Sequence, residues 1–188
     1  VIHRPIAQAN IFVGSQGLIL DDPQRWAMGV LNTVLGGSMS SRLFQEIREK
    51  RGLAYSVYSF NQAYSDGSMF GLYAGCSPAK AGEVTKLMLE ELDKIAQSGI
   101  TQSELDLAKG NIAGSLALKF ESTMARMSRL ASAELASGEF IDLDTTIEFF
   151  ESVTLADVQK LAADIAGRQR SIVAVGDVKP ATFEPFLA

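Results

Sequence analysis

Residues 36–55 read GGSMSSRLFQEIREKRGLAY, and this stretch decides how the first half of the chain folds. The paired glycines at its start end a preceding helix, because glycine readily adopts the backbone angles found just beyond a helix. An apolar stripe follows at helical spacing and predicts a second helix, formed by Leu43, Phe44 and Ile47. The next glycine lies just past the end of that helix, and Tyr55 enters an extended segment.

The residues before this stretch predict a strand and a helix. Residues 7–13 carry small or apolar side chains at every second position, with Gln8, Asn10 and Phe12 between them, which indicates a half-buried strand. Asp21-Asp22-Pro23 then has the pattern of an acidic N-cap followed by proline in the first turn. The helix that it begins should end near Leu35.

The residues after the stretch predict a hairpin. Residues 54–62 alternate, which places Tyr55 and Val57 on one face of a strand and the other aromatic residues on the opposite face. Residues 65–67 are Ser-Asp-Gly, a typical turn composition. Residues 69–75 should therefore return antiparallel to the first strand.

The second half of the chain is mainly helical, and an apolar strand at residues 171–175 follows it. Thr101 and Glu104 form a capping box, and Thr154 with Asp157 forms a looser one. Apolar stripes at helical spacing predict helices over roughly residues 84–95, 105–120, 124–135, 143–150 and 158–165. This order predicts a single α+β domain over residues 1–188, with helices packed on a mainly antiparallel sheet.

The composition excludes several classes of protein. Hydrophobic residues make up 47% of the 188 residues, enough for a large core. The net charge of −5 argues against nucleic-acid binding, which needs a basic surface. No apolar run reaches the roughly 18 residues of a membrane-spanning helix. Cys76 is the single cysteine, so an internal disulfide is excluded.

The sequence offers poor material for a metal site or a nucleophile. His3 is the single histidine, and it has only a distant cysteine as a companion, whereas zinc needs three or four ligands. We therefore predict no metal site in this chain. Residues 75–79 read GCSPA and resemble a nucleophile elbow only superficially, since no histidine follows. Ser77 is better explained as a helix cap with Pro78 in the first turn.

Arg48 and Tyr55 are the candidate functional residues of the quoted stretch. A short turn joins the helix to the next strand, so both side chains could reach one surface. An arginine offers fixed donors to peptide carbonyls, and a tyrosine hydroxyl could donate to a developing oxyanion. The residues alone also fit a structural role, in which Arg48 joins surface ion pairs with Glu46 or Glu49 and Tyr55 is an aromatic at the edge of the core.

A longer stretch, residues 31–57 (LNTVLGGSMSSRLFQEIREKRGLAYSV), resembles the second-domain signature of the M16 peptidases. These inverzincins include mitochondrial processing peptidase, pitrilysin and insulin-degrading enzyme. The similarity continues through residues 66–75, residues 101–130 and residues 171–177, so it covers nearly the whole chain. It implies the LuxS/MPP-like metallohydrolase fold and the C-terminal, non-zinc domain of a longer two-domain protein.

The resemblance also implies a division of labour. In this family one half carries H-x-x-E-H and binds zinc, and the other half supplies an arginine and a tyrosine seven residues apart. Arg48 and Tyr55 match that pair, so Arg48 would hold a substrate carbonyl and Tyr55 would support the oxyanion. Gly37 and Ser38 are expected to contact the substrate. H-x-x-E-H is absent here, so the chain alone is expected to be inactive, with zinc held by a homologous partner domain or subunit.

Two other interpretations remain open at this point. The chain could be an inactive M16-like scaffold or binding subunit, or an unrelated α+β domain. The expected partners are the zinc-bearing half and a peptide, with a homodimer possible and no nucleic acid or membrane. Localisation is left open, with the bacterial cytoplasm as the expectation.

Overall fold

A computed structural model describes residues 1–136, 138 and 140–187. A five-stranded mixed sheet forms its centre, in the order β1-β5-β2-β4-β3. The strands are β1 (Ile2–His3), β2 (Ala9–Ser15), β3 (Ala54–Ala63), β4 (Ser68–Cys76) and β5 (Ser171–Gly176). The α-helices are α1 (Arg25–Leu35), α2 (Ala81–Ser98), α3 (Gln102–Glu121), α4 (Thr123–Ala136), α5 (Leu143–Ser152) and α6 (Leu155–Gly167).

The predicted α+β class and the hairpin are confirmed. β2 pairs antiparallel with both β4 and β5, and β3 pairs antiparallel with β4. β1 adds the only parallel pairing among the described strands, against β5. Strand β1 has no counterpart among the predicted elements, because a two-residue strand leaves no periodic signal.

One face of the sheet carries the core, and helices cover that face. Alternate residues of the strands are buried there, including Ile11, Leu72, Val57 and Ala174. Helices α1, α2 and α6 pack together over this face, and the apolar stripes of α2 and α6 match the predicted ones. The opposite face has no helix among the described residues packed on its centre, so the helices cover the sheet on one side.

The helix caps follow the sequence closely in two places. The Thr101 hydroxyl accepts a hydrogen bond from the Glu104 amide, and the Glu104 carboxylate accepts one from the Thr101 amide. Thr154 and Asp157 form the second predicted box in the same way. Both boxes are confirmed, since each satisfies donors that a helix start leaves unpaired.

Two predicted helix starts are corrected. α1 begins at Arg25 rather than at Pro23, because the Asp22 carboxylate caps a preceding turn by accepting from the Gln24 amide at 2.8 Å. Ser77 precedes a short 3-10 turn over Pro78–Lys80, and its side chain makes no capping hydrogen bond. Proline does occupy the first position of that turn, as predicted.

Helix α4 is present as predicted, but its apolar stripe is exposed. None of its residues is buried, and Met124, Met127 and Leu135 are more than half exposed. Helical spacing shows that side chains share a face, but it does not show what covers that face. None of the described helices combines the length and apolar character needed to cross a lipid bilayer.

Candidate functional site

Tyr55 projects from the sheet because it occupies a β-bulge. In the pairing of β3 with β4, Ala54 lies opposite Cys76 and Ser56 lies opposite Gly75, which leaves Tyr55 as an extra residue. Ala54 and Val57 are both 5% exposed, whereas Tyr55 is 81% exposed. The prediction that Tyr55 shares a face with Val57 is therefore wrong: the bulge shifts the alternation by one residue and turns the tyrosine outward.

Arg48 lies on a π-helical segment, Phe44–Glu49, that precedes this strand. The Lys50 amide donates to the Gln45 carbonyl, five residues earlier, at 2.9 Å, which is the wider spacing of a π turn. The sequence predicted a helix here but not its widened form. Single π turns inside helices occur often at functional sites, because the extra residue changes the direction of the side chains.

The two candidate side chains come together at the surface. The Arg48 guanidinium carbon lies 5.4 Å from the centre of the Tyr55 ring and 4.8 Å from the centre of the Phe44 ring. Such distances are typical of cation–π contacts. The Arg48 Nε lies 4.0 Å from a Glu49 carboxylate oxygen, too far for a hydrogen bond. The guanidinium therefore keeps N–H groups available at the surface.

A partly buried ion pair, Arg42 with Glu104, anchors the segment from behind. The Arg42 guanidinium donates to both Glu104 carboxylate oxygens, at 2.7 and 2.9 Å, and to the Gly99 carbonyl at 3.3 Å. The hydrogen bond from Arg42, with further help from Thr101, lowers the pKa of Glu104 to about 2. This bidentate contact joins the start of the π-helical segment to the junction of α2 and α3.

A second group of charges lies on the exposed side. The Glu46 carboxylate accepts from Lys50 and from Arg51, with a distance of 2.6 Å to the Arg51 Nη1. These hydrogen bonds, first that from Lys50, lower the pKa of Glu46. Gly52 follows with a φ of 61°, a left-handed conformation that glycine adopts without strain. The chain thus reverses sharply between Arg48 and Tyr55.

A hollow of about 700 Å³ opens beside Tyr55. Its walls come from the turn after the π-helical segment, from the end of β4 and from the chain just before β2. Tyr55, Gln8, Gly75, Arg51 and Lys80 are among its lining residues. A side chain at Gly75 would meet the Gln8 amide group, so this glycine keeps the floor of the hollow open.

Gly37 and Ser38 lie elsewhere. The Gly37 amide donates to the Asn32 carbonyl at 2.7 Å, which closes the end of α1. The Ser38 hydroxyl donates to the Thr33 carbonyl at 3.3 Å, and Ser38 lines a separate small depression of about 30 Å³. Neither residue lines the hollow beside Tyr55, so the structure brings Arg48 and Tyr55 together but not all four predicted residues.

The uncovered face of the sheet continues from this hollow and carries an aromatic cluster. Its ring pairs have centroid distances of 4.8 to 6.1 Å and are formed by Phe12, Tyr58, Phe60 and Tyr73. The Tyr73 hydroxyl donates to the Asn10 side-chain oxygen at 2.7 Å. Partial burial raises the pKa of Tyr73, so the phenol stays neutral at ordinary pH. The cluster therefore offers a flat, mostly apolar surface.

The metal and thiol chemistry of the chain is limited. Within the described residues, no group of three or more His, Cys, Asp or Glu side chains is placed to hold a metal ion. Cys76 is buried, and burial raises the pKa of its thiol to about 11. A thiol in that state is a poor nucleophile.

The family follows from comparison with known proteins. A sequence model described as "Peptidase M16 inactive domain" matches residues 1–112. The chain belongs to the peptidase M16 family. It is 47% identical over 179 residues to an uncharacterized zinc protease of Streptomyces coelicolor, a match that covers 95% of this chain and 39% of that relative. The M16 domain thus spans well under half of that relative's length.

Solved structures agree with this assignment. A peptidase M16 inactive domain from Pseudomonas fluorescens superposes with a TM-score of 0.83 at 26% identity, covering 95% of this chain and 44% of that one. A chain of Complex III2 from Candida albicans gives the same TM-score at 21% identity and covers 46% of that chain, a likeness of fold alone. The resemblance to the M16 C-terminal domain is confirmed.

Several residues around the candidate site had no signal in the sequence. Arg51, Lys80 and Gln8 lie far apart in sequence and meet only because β2, β3 and β4 are neighbours in the sheet. Arg42 and Glu104 are 62 residues apart in sequence. Only Glu104 had a local signal, since it belongs to the predicted capping box. The charge run at residues 48–51 was a visible hint that this end of the site is basic.

Proposed function

We propose that this M16 domain is the second, non-zinc domain of a zinc metalloendopeptidase, in which it closes a peptide-binding chamber. In this role Arg48 and Tyr55 contact the peptide. The observation that carries the proposal is their pairing at the surface, with the Arg48 guanidinium 5.4 Å from the Tyr55 ring. Tyr55 is 81% exposed, which is more than a tyrosine that only packs at the edge of the core would need. A side chain that contacts a ligand requires such exposure, and the β-bulge provides it.

The chemistry assigned to each residue follows from its donors. The Arg48 guanidinium would donate to a peptide carbonyl oxygen and hold the scissile segment in place. The Tyr55 hydroxyl would donate to the same region as negative charge develops on the oxygen of the tetrahedral intermediate. The ring stacking limits the motion of both side chains, so less conformational entropy is lost when the peptide binds.

The zinc site is assigned to another part of the full-length protein. Three ligands are needed, and the described residues do not bring three suitable side chains together. The chain alone is therefore proposed to be inactive, as a single domain of a longer two-domain protein. The name of the Streptomyces relative, a zinc protease of which this chain spans 39%, supports a further domain that holds the metal.

The aromatic cluster and the hollow support the proposal of a peptide-binding chamber. An uncovered sheet face next to an exposed Arg–Tyr pair gives a peptide an extended surface as well as a polar contact point. Gly37 and Ser38 are proposed to contact a more distant part of the peptide, since neither lines the hollow beside Tyr55. An unfolded or extended peptide segment is the ligand that fits such a surface best.

A scaffold or binding subunit is the second candidate. It is favoured by the likeness of fold to a chain of Complex III2 from Candida albicans. A scaffold would have no use for the Tyr55 hydroxyl, so the two candidates differ in one measurable property.

Tyr55→Phe in the full-length protein tests the leading proposal. The substitution keeps the ring stacking but removes the donor, so kcat should fall by roughly ten- to a thousandfold while the bound zinc content stays the same. Tyr64→Phe, in the turn at the other end of β3, is the matched control and should leave kcat unchanged. An equal kcat for Tyr55→Phe and wild type would remove the residue from the mechanism, and no cleavage of any peptide would favour the scaffold.

A further inference from the structure

We propose that the hollow beside Tyr55 is a subsite for a carboxylate of the peptide, and that Arg51 and Lys80 select peptides with an acidic residue close to the scissile bond. This inference rests on the proposed function and adds a substrate class to it. The position of the subsite follows from Tyr55, which lines the hollow.

The charged lining of the hollow has one sign. Among the described residues that line it, Arg51 and Lys80 carry charge and no carboxylate does. They belong to separate elements: Arg51 follows the π-helical segment, whereas Lys80 ends the turn before α2. Two cations from different elements therefore face one concave space, and concave surfaces concentrate the field of the charges that line them.

The nearby carboxylates do not fully neutralise the positive charge of Arg51 and Lys80. Glu46 serves both Arg51 and Lys50, so one negative charge is shared by two positive ones. Lys80 pairs with Glu83 at 2.9 Å, but both side chains are about half exposed, and such pairs are weak. The ion pairs of residues 46–51 and of Lys80 together hold four cations against three carboxylates, although only Arg51 and Lys80 line the hollow itself. The whole chain has a net charge of −5, so this local excess is opposite to the overall charge.

The remaining lining suits the stem of an acidic side chain. Leu53 and Gly75 give the hollow an apolar base, and the Gln8 side chain adds a polar group at the edge. A volume of about 700 Å³ accommodates one extended side chain with its first hydration shell. Tyr55 itself lines the hollow, so a group bound here belongs to a peptide residue close in sequence to the one that contacts Tyr55.

Either of two sources could supply the carboxylate: an Asp or Glu side chain, or the C-terminus of the peptide. Both present the same group to Arg51 and Lys80. They are separated by testing peptides in which a single internal residue is Glu, Gln or Lys, each made with a free and with an amidated C-terminus.

The experiment uses the full-length protein at low ionic strength, where such charges are least screened. The ratio of kcat/KM for the Glu peptide to that for the Lys peptide is measured in wild type, Arg51→Gln and Lys80→Gln. Each substitution should lower the ratio by about two- to fivefold, the range for one partly exposed charge. The double variant Arg51→Glu with Lys80→Glu should reverse the preference. Lys86→Gln, an exposed lysine on α2 outside the hollow, is the control and should leave the ratio unchanged.

A binding measurement separates this inference from the proposed function. Fluorescence anisotropy of the same labelled peptides is recorded on chelator-treated full-length protein, in which cleavage does not occur. If no peptide is cleaved but the Glu peptide still binds better through Arg51 and Lys80, the subsite stands and the peptidase assignment fails. If peptides are cleaved and the Glu to Lys ratio is the same in wild type and both single variants, the subsite is rejected and the peptidase assignment stands. A response to amidation alone would assign the subsite to peptide C-termini.

Discussion

The Arg42–Glu104 pair should make the stability of the domain depend on pH in a defined way. The pKa of Glu104 is lowered from 4.5 to about 2, first by the hydrogen bond from Arg42. Its side chain is 28% exposed, so the interaction is only partly screened by solvent. A lowered pKa in the folded state means that the charged form stabilises the fold: this contribution is fully present above about pH 5 and is lost as the pH falls toward 2.

The magnitude follows from the shift. Each pKa unit corresponds to about 1.4 kcal/mol, so ionised Glu104 contributes on the order of 3 kcal/mol at pH 7. At pH 3 the unfolded state is already protonated while the folded state is still mainly ionised, and about 1 kcal/mol remains. Glu104→Gln preserves the shape but removes the charge, so it should destabilise the domain by about these amounts at the two pH values.

Urea unfolding of the 188-residue chain, followed by circular dichroism at pH 7 and pH 3, measures the difference. In thermal unfolding the pH 7 effect corresponds to a fall in Tm of roughly 6 to 12 °C for a domain of this size. Asp106→Asn, an exposed position on the same helix, is the control and should change the stability by less than about 0.5 kcal/mol. A loss for Glu104→Gln that is equal at pH 7 and pH 3 would refute the reasoning, because it would come from packing rather than charge.

Two further outcomes test the core beneath the site. Gly36→Ala should destabilise the domain by about 1–3 kcal/mol in urea unfolding, because a Cβ there would lie 2.3 Å from the Ser59 backbone nitrogen. Gly110→Ala, on α3 with open space around it, is the control. An equal stability for both variants would contradict the close packing at Gly36. Cys76 should react with a thiol reagent at pH 8 about a hundredfold more slowly in the native protein than in urea, since burial raises its pKa from 9.0 to about 11; equal rates would show that the thiol is accessible.

Local signals predicted the framework of the fold well. The capping box of Thr101, the Ser-Asp-Gly turn of the hairpin and the apolar stripes of α2 and α6 all depend on neighbouring residues, and all are confirmed. The start of α1 was misplaced because Asp22 satisfies a turn rather than the helix itself.

The site was less predictable for physical reasons. Alternation within residues 54–62 fits two registers, and only the pairing with β4 shows that Tyr55 is the extra residue. The hollow combines side chains from three distant segments, so no window of sequence contains it. Arg48 and Tyr55 were singled out by the family resemblance, since the residues alone favoured an ordinary ion-paired helix and a tyrosine at the edge of the core.

The π-helical segment and the bulge have a joint consequence for how this region tolerates change. Each is one residue longer than the regular element that it interrupts, and both lie between residues 44 and 55. Removing one residue from the helix would rotate everything after it by about 100°, and removing one from the strand would send its side chains to the opposite face. This part of the chain can therefore vary in composition at many positions but not in length, and a single-codon deletion would separate Arg48 from Tyr55 more completely than most substitutions.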